Sequence, residues 1–219
     1  LPAAEDDNGG QFTMHHIVDT HVRGKALSVV YTNNLVSMES SIQTMEQFLS
    51  EDKYQVVGFD LECTSGRAGH DQKVVVTQLC VQHAVLVYHY HLATRPCECL
   101  SRFINSSNYN IATVDTTNDL KALKVSGLKS RNLVNIQDHY KVWGSDNNKL
   151  NTLVDLASAI IDPYYMKMKD ESRKDKNAWH GVWHERLDEQ HVQYVAKDAY
   201  TSYEMYRRIV DMRKCLLHA

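Results

Sequence analysis

Residues 55–63 read Gln-Val-Val-Gly-Phe-Asp-Leu-Glu-Cys, an apolar run interrupted by two carboxylates, Asp60 and Glu62. Valine and phenylalanine favour an extended strand here. Strand side chains alternate, so residues 60 and 62 leave one face together while Phe59, Leu61 and Cys63 leave the other. Neighbouring carboxylates in an apolar strand are costly to bury unless something pairs with them, and a divalent cation is a natural partner. Taken alone, the pair fits an edge strand with an acidic solvent face equally well.

Reading outward, Lys73–Val81 and Ala84–Tyr90 are further strand candidates, and with Gln55–Cys63 they form a β-meander at the centre of the chain. Before the meander, Met14–His21 and Ala26–Thr32 flank Arg23-Gly24-Lys25 and predict a hairpin. Ser37–Leu49 then carries Met38, Ile42, Met45, Phe48 and Leu49 at helical spacing. After it, helices are expected over Cys99–Ile104, Asn118–Val125, Leu150–Ile161 and from Glu189 to about Leu217, with short strands at Ile111–Val114 and Leu133–Gln137. Strands alternating with helices predict an α/β sheet. Residues 1–11 are acidic and Gly-containing, and a flexible tail is expected there, followed by a single domain over residues 12–219. The stretch Lys167–Gly181 holds five basic and three acidic residues and predicts an exposed loop.

At 219 residues, 43% hydrophobic and 23% charged, the chain has the composition of one globular domain with a packed core. Its formal charge of −3 provides no broad basic field, so any phosphate binding must be local. Five cysteines form no CxxC pair, which argues against a disulfide framework or a zinc site and favours a reducing compartment. No apolar run approaches the roughly 20 residues of a membrane span, and no basic-then-apolar signal opens the chain. An intracellular place, cytoplasm or nucleus, is the expectation.

Two further acidic positions stand on predicted helices. Tyr194 and Asp198 are four residues apart, beside an apolar stripe of Val192, Val195, Ala196, Ala199, Tyr203, Tyr206 and Val210, so a phenol lies next to a carboxylate on one helix face. Asp119, in Asn118-Asp119-Leu120-Lys121, opens a helix that Thr117 or Asn118 can cap. Each is unremarkable by itself. A solvated aspartate beside a half-buried tyrosine is common, and the helix macrodipole favours an acid in the first turn whatever its role.

In this order and on these elements, Asp60, Glu62, Asp119, Tyr194 and Asp198 resemble the DEDDy branch of the DnaQ-like 3′-to-5′ exonucleases, and within it the Werner-type exonuclease domain. The resemblance runs from about Gln55 to Tyr206. Val75–Leu79 followed by Leu86–His89 is similar to the family's Gln-Leu strand hairpin, and Leu153-Val154-Asp155-Leu156 opens a later helix. A histidine branch places its histidine five residues before the last aspartate, where this chain has Gln193, so the tyrosine version matches. His191 is expected at the surface.

The resemblance implies a ribonuclease H-like fold: a mixed five-stranded sheet flanked by helices, here with an added N-terminal hairpin. It implies hydrolysis of nucleotides from the 3′ end of single-stranded RNA or DNA with two divalent cations, Mg²⁺ or Mn²⁺. Asp60, Glu62 and Asp198 would hold one cation at the attacking water, Asp60 with Asp119 a second at the leaving oxygen, and Tyr194 would orient the water. All-oxygen ligands match hard cations. Lys169, Arg173, Lys174 and Lys176 are candidate strand contacts. Small stand-alone plant members of the family form rings and serve RNA processing, which points to a homo-oligomer or a protein partner.

Three departures accompany the match. Thr113 and Asp115 stand where the pattern has glycine, and Asp115 is a competing ligand candidate. Trp179-His180-Gly181-Val182-Trp183 precedes Arg186-Leu187 without the pattern's proline. The alternative to an active enzyme is a catalytically silent domain of this fold that binds nucleic acid or protein.

Overall fold

The computed structural model describes residues 5–7, 10–22, 24–64, 72–95, 97–143, 149–150, 152–167 and 181–217. The meander supplies its centre: β4 (Val56–Cys63), β5 (Val74–Val81) and β6 (Ala84–Tyr88) pair antiparallel in turn. All eight residues of β5 are buried, as a central strand covered on both faces requires. On the other side of β4 lie β7 (Asn110–Thr113) and β8 (Leu133–Asn135), each parallel to its neighbour. These five strands are the mixed sheet the resemblance implied. The hairpin of β2 (Gln11–Asp19) and β3 (Ala26–Thr32) joins it through a parallel β3–β6 pairing.

An eighth strand departs from expectation. Glu5–Asp7, within the stretch expected to be a tail, forms β1 against Gln11–Thr13 at the sheet edge, the chain reversing at Gly10 with φ +80°. Edge pairing uses backbone groups only, so an acidic composition does not forbid it.

Two apolar clusters cover the sheet, one on each face. On the first face, α1 (Leu35–Glu51), α2 (Glu98–Ile104) and α3 (Thr116–Val125) pack against Val57, Phe59, Leu79, Leu86 and Ile111. Helix α1 starts at Asn34, whose carboxamide oxygen accepts from the backbone N–H of Val36 at 2.8 Å and Ser37 at 3.2 Å. It buries Met38, Ile42, Met45 and Leu49, each contributing roughly 1.5–3 kcal/mol. On the second face, α4 (Leu153–Ile160) and α5 (Glu189–Leu217) pack against Val56, Val76, Cys80, Val85 and Val87. Thr152 and Asp155 close a capping box at the start of α4.

Helix boundaries shift by small amounts from the sequence expectation. The largest shift is in α4, which begins at Leu153 rather than Leu150, while α3 begins at Thr116 with Asp115, rather than Thr117 or Asn118, at the N-cap. Among the described residues no helix is long and apolar enough to cross a membrane.

Candidate active site

The parallel strands β4 and β7 pair as far as Gly58 opposite Ala112, and β4 then runs on past the end of β7, carrying Asp60 and Glu62. Open α/β sheets present ligands at the carboxyl ends of their strands for this reason: the loops diverge there and leave space. Along β4, Val57 and Phe59 enter the α1-side cluster, with Leu61 partly buried against it. Gly58, Asp60 and Glu62 therefore share the opposite face, beneath α5. The register of β4 on β5 shifts between Glu62 and Cys63, an irregularity that bends a strand where it meets a site.

Gly58 sets how close α5 comes. A Cβ at this position would collide with the carbonyl oxygen of Ala199 and the backbone nitrogen of Tyr203. Because glycine leaves that space open, the helix lies directly on the strand and carries Asp198, one residue before Ala199, down to the acidic pair. Asp198 is only 4% exposed, while Asp60, Glu62 and Asp119 are half-buried.

The acids lie within one another's electrostatic reach. Burial raises the proton affinity of Asp60, and the charge of Asp198 adds to it. Burial likewise pushes Glu62 well above the usual range, followed by Asp60 and Asp198. Asp119 rises to about 8 through burial and then the charge of Asp60. Asp198 is raised by burial, opposed by a hydrogen bond from Tyr194 and the charge of Lys197. The Tyr194 phenol is raised in turn, first by Asp198 and then by burial, so it stays protonated. Asp60, Glu62, Asp198 and Tyr194 thus form one interacting group, with Asp119 joined through Asp60.

Asp119 arrives from the other flank. It lies in the first turn of α3, and its Oδ2 accepts a hydrogen bond from the Thr113 hydroxyl at 2.7 Å. Asp115 is exposed, and its Oδ2 accepts from the Asn118 side-chain amide at 2.6 Å.

Three neighbours of the acids were not singled out as site residues from the sequence. Gly58 did carry a signal, since an isolated glycine in a strand marks close backbone approach. Gln78, directly across from Asp60 on β5, is fully buried, and among the described residues neither side-chain amide atom has a partner. Cys63 feels Asp119, Glu62 and Asp60, and burial with these charges pushes its thiol up to about 12. Burial and the neighbouring acids thus favour its neutral thiol form.

The donor set suits a hard cation. Among the described residues the four carboxylates are buried or half-buried, Lys197 acts on Asp198, and the Gln78 amide beside them has no hydrogen-bond partner. As they stand, no three Asp, Glu, His or Cys groups among the described residues form a ready cation cage. The chemistry of the donors, carboxylate oxygens with no sulfur or imidazole among them, is what fits a hard cation.

Two sequence expectations end differently. His191, expected at the surface, is 7% exposed: Trp183 lies edge-on to its ring at 5.4 Å, and Asp188 accepts from its backbone N–H and bonds its Nδ1. The segment before α5 folds over that first turn, which helical periodicity cannot reveal. Lys169, Arg173, Lys174 and Lys176, with Trp179 and His180, lie outside the described residues.

That segment is tied to the hairpin. The Leu187 N–H donates to the Tyr31 hydroxyl at 2.8 Å, Tyr31 bonds His89 Nδ1 at 2.8 Å, and the Arg186 guanidinium stacks over Phe12 at 4.7 Å. The added hairpin thereby braces the start of the helix that carries Tyr194 and Asp198.

Solved structures share this architecture. The exonuclease domain of Aedes aegypti Nibbler superposes with a TM-score of 0.54 at 16% identity, covering 80% of this chain and 86% of that one. Trypanosoma brucei RNase D, solved as a GMP complex, gives 0.65 at 13% identity, covering 83% of this chain and 57% of that one. The catalytic core of Trypanosoma brucei RRP6 gives 0.60 at 14% identity, covering 84% and 47%. The chain spans about half the length of these last two, and identities this low establish the fold. Comparison with curated protein sequences returned no match. A sequence profile of the 3′–5′ exonuclease family matches residues 36–213, from the start of α1 to near the end of α5 and across every acid described above. The chain belongs to the 3′–5′ exonuclease family.

Proposed function

We propose that this protein is an active, metal-dependent exonuclease of the DEDDy type that removes nucleotides from the 3′ end of single-stranded nucleic acid. What supports the reading is the electrostatic influence that Asp60, Glu62, Asp119 and Asp198, carried by three different elements, exert on one another, with Lys197 acting on Asp198 among the described residues. Phosphodiester hydrolysis builds negative charge on the phosphorus oxygens and on the leaving 3′ oxygen. Bound among these carboxylates, Mg²⁺ or Mn²⁺ would stabilise that charge at both the attacking and the leaving oxygen.

The chain's own groups divide the remaining work. Asp60 sits between Asp198 and Asp119 and is the acid common to both halves of the site. Glu62 and Asp198 complete one half, and Asp119 the other. Tyr194, hydrogen-bonded to Asp198 and held protonated, can orient an attacking water through its hydroxyl but cannot serve as its base. RNA is the first substrate to test, because the RNase D neighbour was solved with GMP.

The test uses 5′-labelled single strands of RNA and DNA with Mg²⁺, Mn²⁺ or EDTA. A ladder shortening from the 3′ end is expected with either metal and none with EDTA. Asp60→Ala should lower the rate by about 10³-fold or more while circular dichroism stays unchanged, since several kcal/mol of charge stabilisation depend on it. Wild-type protein that leaves both strands intact with every metal would establish a silent domain instead.

A further inference from the structure

We propose that Thr113 is a positioning residue that latches Asp119 to the sheet and so determines how the third acid meets a cation; the inference rests on the cation-binding reading above. Thr113 is the last residue of β7, wholly buried and held in a strand paired with both β4 and β8. Its hydroxyl lies 2.7 Å from Asp119 Oδ2 and 3.3 Å from the Val114 carbonyl oxygen. One hydroxyl carries one proton, and the shorter bond, to the carboxyl oxygen, takes it.

Asp119 has little else to hold it. Helix α3 buries only Ala122 and Leu123, and Leu120, next to the acid, is 45% exposed. The chain reaches the helix through Asp115 in the left-handed conformation, φ +67° and ψ +55°, at an N-cap whose side chain makes no capping bond. That turn brings residues six apart in sequence to hydrogen-bonding distance. A β-branched side chain on a rigid strand has restricted χ1 freedom, so its hydroxyl is a fixed reference point. Thr113 transmits that fixity to a helix turn that packing leaves loosely determined.

The bond also sorts the two carboxylate oxygens. The Thr113 hydroxyl takes one lone pair of Oδ2 and none of Oδ1, so Oδ1 is the less encumbered oxygen that Asp119 would offer to a cation. Glycine, the residue the related pattern has at this position, would supply no such bond.

Thr113→Val preserves shape and removes the hydroxyl, whereas Thr113→Ser keeps it. Hydrogen-bond partners of metal ligands typically govern affinity by about 10–100-fold. Mn²⁺ binding by Thr113→Val, read by calorimetry, should weaken by about that factor, and the Mn²⁺ concentration for half-maximal cleavage should rise in parallel. Excess Mn²⁺ should recover most of kcat, and Thr113→Ser should stay within about threefold of wild type. A purely structural role for Thr113 would lower Tm without moving Mn²⁺ affinity. Should Thr113→Val fail to fold, Thr113→Ala makes the same comparison with a smaller side chain.

Wild-type Mn²⁺ affinity in a folded variant lacking the hydroxyl overturns the proposal. If wild-type protein binds Mn²⁺ without cleaving, the nuclease reading fails while the binding contrast still decides the role of Thr113. Wild-type protein that binds no Mn²⁺ overturns both.

Discussion

Asp198 and Glu204 stand six residues apart on one helix, 4% and 1% exposed, and their surroundings treat them in opposite ways. Glu204 takes Arg207 Nη2 at 2.7 Å and Arg208 Nε at 2.8 Å, with Lys25 of the hairpin at 3.7 Å. Although burial acts against it, the Arg207 and Arg208 hydrogen bonds hold its pKa below the usual value. Asp198 meets Tyr194, Lys197 and the other site acids, and its proton affinity rises. Burial alone therefore does not mark a site on this helix. A buried acid whose protein cations are complete is structural, and Arg208 extends that structure by donating to the Ile160 and Ile161 carbonyl oxygens at 3.0 and 3.1 Å. Acids left short of positive charge are the ones that suit a cation from outside.

Exchanging one charge at each end should separate the two clusters. Glu204→Gln leaves two arginines without their shared buried counter-charge and should cost roughly 3 kcal/mol, a fall in Tm of about 6–12 °C, with Mn²⁺ affinity unchanged. A loss of Mn²⁺ binding would show that the two clusters are one.

The pH dependence sharpens the contrast, because the two clusters work in different windows. The site acids have folded-state pKa values above their unfolded ones. Their contribution is therefore complete below about pH 4, where both states are protonated, and is lost as pH rises toward the raised values, about 8 for Asp119. Glu204 has the opposite sign, and its contribution is lost only as pH falls below about 4. In EDTA, Tm should drop by roughly 5 °C between pH 5 and pH 8, and Mn²⁺ should flatten that slope by competing with the protons. A flat EDTA profile would mean that the acids do not share a buried field.

The smallest effect is the most diagnostic in sign. Asp198→Asn removes a buried charge from a repelling group and should raise the Tm of cation-free protein at pH 8 by roughly 2–4 °C, or about 1 kcal/mol. The same variant should lose Mn²⁺ stabilisation and cleavage. Destabilisation of the cation-free protein would put Asp198 in the same class as Glu204.

Much of the site was legible because two short-range periodicities decide it. Period two puts Asp60 and Glu62 on one face of β4, and the helical repeat puts Tyr194 one turn from Asp198. The order of the meander, of the short parallel strands and of the last helix likewise follows from runs of neighbouring residues. His191 escaped the same reasoning. Its burial depends on Trp183, eight residues earlier, folding across the first turn of α5. Thr113 and Asp115 read as departures from a glycine pattern, yet Asp115 adopts the left-handed turn that glycine favours, and Thr113 supplies a bond that glycine lacks.

The amino-acid order by itself thus determined the helices, the strands from β2 to β8, their succession and the five residues expected to carry the chemistry, since backbone geometry acts on residues close in sequence. Tertiary structure alone decided which acids are neutralised and which are not. Lys25 reaching Glu204, α5 resting on the bare backbone of Gly58 and the parallel joining of β3 to β6 each link residues far apart in the chain. Charge, burial and hydrogen bonding depend on distance in space, and that distance exists only once the sheet has formed.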